Sequence, residues 1–176
     1  MIISQTSEEI AAAQILQQKC EVRNIILRQC HVSLEGSEQS LTKPFSVKLS
    51  HNSTANAILD DVLSIEVRYQ IQSYDASEPA SLLFNVECSF QIDYEIKDTS
   101  FRPTPEAIAA FKDGNAIFNS WAFAREFAHS MTMRMGLHPP PIPLLRIVPK
   151  AKPKIAKTPA SPENHPVPEK ELAKTD

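Results

Sequence analysis

The segment Ser81–Ile96, which reads SLLFNVECSFQIDYEI, decides the fold of this chain. Every second position of it is apolar: Leu82, Phe84, Val86, Cys88, Phe90, Ile92, Tyr94 and Ile96. Because successive side chains of a β-strand point to opposite faces, this pattern predicts a long strand with one buried face and one solvated face. A sheet with one solvated face is typical of antiparallel pairing.

Three earlier segments also predict strands. Residues 44–51 and 62–73 alternate well, whereas residues 21–34 are rich in Val, Ile and Leu but alternate imperfectly. A capping-box pattern, Thr6-x-x-Glu9, predicts a short helix at about 8–18 ahead of these strands.

The region after the strands predicts helices. Thr104-Pro105 is a typical helix start, and this short helix is expected to end near Asp113-Gly114. A longer helix is expected from about 116 to 135, with Gly136 as the residue that ends it. Strands followed by helices indicate an α+β fold, here a four-stranded antiparallel sheet followed by a long helix.

The long helix is apolar around most of its circumference. One stripe of side chains at i, i+4 spacing is Phe123, Phe127, Met131 and Met135, and Phe118, Ala122 and Met133 lie beyond a narrow polar sector. Such a helix needs a cover on two sides. We expect the sheet to be one cover and a second subunit, a second helix or a ligand to be the other. A strand of 16 residues also spans roughly 50 Å, whereas a 20-residue helix spans only about 30 Å. One helix therefore cannot cover the whole apolar face of the sheet, and part of that face is left for oligomerisation or for an apolar ligand.

The composition excludes several classes of protein. The 176 residues are 42% apolar and 22% charged with a net charge of -3, which does not favour a nucleic-acid-binding protein. Three scattered glycines, Gly36, Gly114 and Gly136, cannot form a glycine-rich phosphate or dinucleotide loop. No apolar run is long enough for a membrane span.

The cysteines and the first residues suggest a location. Cys20, Cys30 and Cys88 are an odd, unclustered set, which fits a reducing compartment better than a disulfide framework. Residues 1–6 have no basic or apolar leader region. We therefore expect a cytoplasmic protein.

Residues 150–176 differ from the rest of the chain. Of the 14 prolines, ten follow residue 138, and the segment 150–176 carries six Lys and four acidic residues. Its few bulky apolar residues cannot offset the entropy of ordering. The sequence therefore predicts a domain at 1–149 and a disordered Lys/Pro-rich tail at 150–176.

No catalytic or metal-binding pattern is present in the sequence. The five histidines share no helical face at i, i+4 spacing and have no Cys or carboxylate at metal-ligand spacing. There is no nucleophile motif such as G-x-S-x-G. We therefore expect no enzyme, no cofactor and no metal.

A six-residue motif in the long helix resembles a motif of a known protein family. Trp121-Ala-Phe-Ala-Arg-Glu126 resembles the aromatic-Pro-Tyr-Ala-Arg-Glu motif that opens the long helix of the SecB-type export chaperones. The Gly136-Leu137 pair and the prolines at 139–143 resemble the segment that follows that helix. Ala122 replaces the proline of the motif and Phe123 its tyrosine. The helix at 8–18, the Lys/Pro-rich tail and the lack of a clear amphipathic helix after Leu145 also depart from the export factor. These features suit a SecB-like branch outside the usual export pathway, including chaperones linked to toxin-antitoxin systems.

The resemblance implies an ATP-independent holdase that binds unfolded or precursor polypeptides and assembles as a dimer of dimers. The translocase motor SecA, or a toxin-antitoxin pair, would be a further partner. Two other functions stay open: a structural adaptor with one dedicated protein partner, and an α+β domain that binds a small molecule.

Three sets of residues are candidates for these roles. Clients are expected to bind at Phe101, Trp121 and Phe123. The oligomer interface is expected at Phe118, Ala122, Arg125 and Met133, where the Arg125 stem packs on apolar surface while its guanidinium finds a carboxylate. The solvated face of the strand at 81–96 carries Glu87, Asp93 and Glu95, a candidate docking surface for a basic partner.

Overall fold

The computed structural model describes residues 1–36 and 44–150. The strands are β1 (Ile2–Gln5), β2 (Cys20–Leu34), β3 (Phe45–Ala55), β4 (Val62–Asp75), β5 (Leu82–Ile96) and β6 (Arg146–Pro149), and the helices are α1 (Ser7–Lys19), α2 (Pro105–Phe111) and α3 (Ile117–Arg134). The main sheet has the strand order β2-β5-β4-β3 with antiparallel neighbours throughout. The predicted α+β fold, with a four-stranded antiparallel sheet and a long helix after it, is confirmed.

The two central strands supply the core. On β5 the even-numbered residues from Phe84 to Ile96 are buried, and on β4 the odd-numbered residues from Leu63 to Asp75 are buried. The helices cover this face. The predicted alternation fails at one end of β5, where Leu82 is half-buried and Leu83 is buried. The register with β4 shifts between Ser73 and Tyr74, so the strand bulges there and turns Leu83 inward.

The edge strand β2 contains two bulges. Its register with β5 shifts between Val22 and Asn24 and again between Leu27 and Gln29. Each shift inserts one extra residue, Arg23 and then Arg28, and a bulge of this kind resets which face the following residues point to. The other edge strand, β3, runs to Ala55 and so exceeds the predicted segment 44–51, because its last positions are polar and carry no alternation.

Two short strands were not predicted. β1 and β6 pair in parallel, from Ile2 opposite Arg146 to Gln5 opposite Pro149. The expected capping box of α1 is present, since the Glu9 N–H donates to the Thr6 hydroxyl at 3.1 Å and the Thr6 N–H donates to the Glu9 carboxylate at 2.6 Å.

The helical region is continuous, which corrects the expected break at Asp113-Gly114. A π-helical turn over Lys112–Ala116 joins α2 to α3 instead. A β-carbon built on Gly114 would lie 2.7 Å from Oε1 of Gln5, whose amide donates to the Ala110 carbonyl at 2.7 Å. The glycine is therefore a site of close packing between β1 and the helix.

The end of α3 agrees with the prediction. Gly136 has a φ of 75°, and the Leu137 N–H donates to the Thr132 carbonyl at 3.0 Å. This geometry is that of a glycine-capped helix end.

The predicted tail at 150–176 lies outside the described residues except for Lys150, so its order is untested. The Lys150 N–H donates to the Gln5 carbonyl at 2.7 Å and prolongs the β1–β6 pairing by one residue. No helix within 1–36 and 44–150 combines the length and the apolar character that crossing a membrane requires.

Candidate functional site

Large apolar side chains are exposed on α3 and β2. Exposed fractions on α3 are 53% for Phe118, 47% for Phe123 and 64% for Met133, and those on β2 are 46% for Val22, 40% for Leu27 and 44% for Leu34. Both elements pack against β5, and apolar side chains exposed on each of them indicate a surface that contacts another molecule.

Phe123 joins the helix to the sheet within this surface. Its ring lies 6.3 Å from the ring of Phe90, centroid to centroid, at an interplanar angle of 49°. Phe90 is paired with Leu27 of β2, and residues directly opposite in a sheet share one face. A row of apolar side chains therefore runs from Phe123 across Phe90 to the edge strand.

The bulges of β2 keep its apolar side chains on this same face. The β2 residues paired with inward-facing residues of β5 are Cys20, Val22, Ile25, Leu27, Cys30, Val32 and Leu34. We call the helix-side face of β2, together with Phe90 and Phe123, the α3–β2 surface. None of the β2 residues was among the predicted site residues. In the sequence these residues follow one another at intervals of two, three, two, three, two and two residues. The extra residue after Val22 and the one after Leu27 account for the two intervals of three.

Trp121 lies beneath the helix rather than on this surface. It is 4% exposed, its ring is 5.5 Å from that of Tyr69 on β4, and its indole N–H donates to the Pro143 carbonyl at 3.1 Å. The Tyr69 hydroxyl donates to the Ile117 carbonyl at 2.9 Å, and burial raises the pKa of this phenol. These contacts hold α3 against the sheet, so Trp121 fixes the position of Phe123.

Part of the second cover of α3 comes from the chain itself. The segment after the helix returns along it, with Ile142 and Leu145 buried. The Nε2 atom of His129 lies 3.1 Å from the Pro140 carbonyl. Phe118 and Met133 stay exposed, so this cover is incomplete.

The predicted interface residues largely come together on the outer side of α3. A shallow groove of about 470 Å³ is lined by Ala122, Arg125, Glu126, His129, Ser130 and Met133. The fourth predicted residue, Phe118, is one turn before Ala122 on the same side of the helix. Arg125 is half-buried, and its Nε atom has no hydrogen-bond partner among the described residues.

Phe101 lies on the loop between β5 and α2. It is half-buried against the edge of the core. Asp98 fixes the loop, because its carboxylate accepts from the Ser100 hydroxyl at 2.6 Å and from the Lys19 ammonium at 3.0 Å. The hydrogen bond from Ser100, which has the larger effect, and that from Lys19 lower the pKa of Asp98 to about 2.

The candidate acidic face lies on the far side of the sheet, and its three carboxylates are half-buried. Glu87 accepts from the amides of Gln70 and Asn85, each at 3.0 Å. Asp93 accepts from the Ser64 hydroxyl at 2.5 Å. Glu95 pairs with Lys97 at 3.0 Å, and that hydrogen bond lowers the pKa of Glu95.

Polar neighbours therefore occupy much of the hydrogen-bonding capacity of this face. Adjacent strands also add bases to it, since Arg68 on β4 lies opposite Ser89 and His31 on β2 lies opposite Glu87. The face carries both signs of charge rather than acid alone.

No group of His, Cys, Asp or Glu within the described ranges has the geometry of a metal site. Burial lowers the pKa of His51 and raises that of the Cys88 thiol to about 12. Neither environment favours a reactive nucleophile at neutral pH.

Comparison with known proteins gives the fold. No protein-family model matches the sequence, and no curated protein matches it. The structure is similar to that of a SecB-like chaperone of Mycobacterium tuberculosis solved in complex with a ChAD peptide from the antitoxin HigA1, with a TM-score of 0.69 and 14% sequence identity. The match covers 78% of this chain and 99% of the chaperone.

A protein of unknown function from Streptococcus agalactiae is also similar, at 9% identity and a TM-score of 0.40 over 71% of this chain and 97% of that one. This second likeness is too distant to support an argument. The chain therefore has a SecB-like fold, as the resemblance of its helix motif implied.

Proposed function

We propose that this protein is an ATP-independent holdase that binds unfolded polypeptides in the cytoplasm. The observation that carries the proposal is the α3–β2 surface, where the half-exposed ring of Phe123 packs on buried Phe90 and the apolar row continues to exposed side chains of the edge strand. An unfolded chain offers extended apolar segments, and burying one aromatic side chain contributes about 1.5–3 kcal/mol. Several such contacts would retain a client without any nucleotide.

The structural neighbour supports a polypeptide as the ligand. The M. tuberculosis chaperone shares the fold and was solved with a peptide of an antitoxin. We propose that this chain also binds peptide segments, either from precursor proteins bound for export or from an antitoxin.

A holdase assay tests the proposal. Two unrelated proteins are unfolded in denaturant and diluted with and without the chain, in the absence of ATP, while light scattering follows their aggregation. We expect suppression of both at near-equimolar protomer. Activity on neither client contradicts the proposal, and binding to one dedicated partner alone would make the protein an adaptor.

We also propose a homotetramer built as a dimer of dimers. The incomplete cover of α3 supports it, since Phe118 and Met133 are more than half exposed and a buried nitrogen of Arg125 has no hydrogen-bond partner within residues 1–36 and 44–150. Light scattering during size exclusion at micromolar concentration tests the assembly. A mass near the 19.6 kDa of one chain would contradict it.

The face with Glu87, Asp93 and Glu95 is proposed as a docking surface for a basic partner, SecA being one candidate. The position of these carboxylates on the side of the sheet away from α3 supports this, because a partner could bind there without competing with clients. Glu95→Lys should weaken binding of purified SecA and leave the holdase assay unchanged. Equal binding of SecA by this variant and by the wild type would contradict the proposal.

A further inference from the structure

A second groove lies on the side of the molecule formed by β1, α1 and α2. It encloses about 740 Å³ and is lined by Ile3, Ser4, Gln5, Thr6, Glu8, Glu9, Ala12, Glu106, Ala109, Ala110, Asp113 and Lys150. Its apolar lining is small: one isoleucine and three alanines. Four of the lining residues are acidic and one is basic, so the groove suits a basic ligand with small apolar contacts.

The carboxylates of the groove differ in their partners. Glu9 accepts from the Thr6 N–H within the capping box, and Asp113 accepts from the Ser53 hydroxyl at 2.6 Å. Glu8 and Glu106 are exposed and have no hydrogen bond or ion pair with any other residue in the described ranges. Two carboxylates are therefore available to cations that enter the groove.

The chain itself enters the groove at Lys150. This residue follows β6, its N–H donates to the Gln5 carbonyl, and its ammonium lies 3.7 Å from the Glu9 carboxylate. β1 gives way to α1 immediately after Gln5, so a strand beyond Lys150 would find no further partner in β1. The described chain therefore ends its pairing at Lys150, which lines the groove together with the first turns of α1 and α2.

The next seven residues have the composition that this groove requires. Residues 151–157 read AKPKIAK, with three lysines, one isoleucine, two alanines and no acid. Residues 158–176 contain two lysines and four acidic residues, so the positive charge is confined to the part nearest the groove. Seven extended residues span roughly 23 Å.

We propose that residues 151–157 bind in this groove, with Lys152, Lys154 and Lys157 as partners for Glu8 and Glu106 and with Ile155 against the alanines. The ligand is thus a lysine-rich extended segment of the same chain. Residues 158–176 carry net negative charge and are repelled by the groove. The inference does not depend on the holdase function.

Nuclear magnetic resonance of the ¹⁵N-labelled full-length chain tests the proposal. Signals of residues 165–175 serve as an internal reference for an unbound tail in the same sample. We expect the amide signals of 152–157 to be at least threefold broader than the reference. They should narrow to the reference width in the double variant Glu8→Gln/Glu106→Gln and in about 0.5 M salt, which screens exposed charge pairs.

The matched control is Glu66→Gln, a half-buried carboxylate on the far face of the sheet that pairs with Arg68 at 3.6 Å. This variant should leave residues 152–157 broad. Circular dichroism melting of each variant shows whether α1 and α2 stay folded. Reference-width signals for 152–157 in the wild type overturn the proposal, and so does broadening that persists in the double variant.

Discussion

Phe123 of α3 packs on Phe90 of β5 with ring centroids 6.3 Å apart, and Phe90 lies directly opposite Leu27 of the edge strand. Phe123 nevertheless keeps 47% of its surface exposed. Its ring is therefore held in place by the sheet on one side and open to a ligand on the other.

The first prediction follows from this position. Phe123→Ala should weaken client binding about three- to tenfold, because half of an aromatic side chain is worth about 1 kcal/mol when a ligand covers it. Titration of a labelled unfolded client measures the change. Ile15→Ala removes an apolar side chain that is 55% exposed on α1 and should have no effect. Equal losses in the two variants would show that Phe123 has no specific role.

Phe101 is tested separately, because the contacts of Asp98 with Ser100 and Lys19 also hold its loop in place. Phe101→Ala should leave the oligomer intact and reduce suppression of client aggregation. Light scattering gives both the assembly mass and the aggregation rate. Unchanged suppression would remove Phe101 from the client site, and loss of the oligomer would make it a structural residue.

Arg125 is predicted to stabilise the assembly. Arg125→Ala removes a half-buried guanidinium that lines the outer groove of α3, and a charge-assisted hydrogen bond is worth about 1.5–3 kcal/mol. The dissociation constant of the oligomer should therefore rise at least tenfold in analytical ultracentrifugation. Arg134→Ala, at an exposed position on the same helix, is the control and should behave as wild type.

Gly114 is predicted to be intolerant of a side chain. Gly114→Ala places a β-carbon 2.7 Å from Oε1 of Gln5, and overpacking of this kind typically costs about 1–3 kcal/mol. Urea denaturation measures the change in the free energy of unfolding. Adding Gln5→Ala to this variant should recover part of the loss, since the clashing amide is then gone. If Gly114→Ala alone is neutral, the contact is not a tight one.

Asp98 is predicted to give a pH-dependent contribution to stability. Ser100 and Lys19 lower the pKa of its carboxyl from 3.8 to about 2 in the folded chain. Folding therefore favours the ionised form, so the stabilisation is complete above about pH 4 and is lost as the pH falls toward 2. The gap between wild type and Asp98→Asn in urea midpoint should shrink over that range. Asp60→Asn, which removes a carboxylate from an exposed turn, is the control variant.

The central sheet was predictable because β4 and β5 alternate with period two over most of their length. β2 was predicted as a strand, but the face it presents was not. Its two bulges shift the apolar spacing, and an insertion becomes visible only when the register with β5 is known. The half of the α3–β2 surface that β2 contributes was missed for this reason, whereas Phe123 was found from the helix pattern.

The helix break was predicted wrongly for a different reason. An Asp-Gly pair usually ends a helix, since glycine loses the most backbone entropy in one. Here Gly114 is required by the close approach of Gln5, a residue far away in the sequence. Similarly, β1 and β6 are four residues each, too short for a periodic signal, and their pairing depends on the tertiary fold.

The parallel pairing of β1 with β6 has a consequence for the order of folding. It closes a loop of about 140 residues, and closing a loop of that length in a flexible chain costs roughly 4 kcal/mol. At about 1 kcal/mol for each hydrogen bond, the pairing of four residues contributes little more free energy than loop closure costs. The pair can therefore form only after the central sheet and α3 have already brought its two strands close. Among the described elements β1 is synthesised before, and β6 after, the main sheet and the helices, so β1 stays unpaired until those elements have folded.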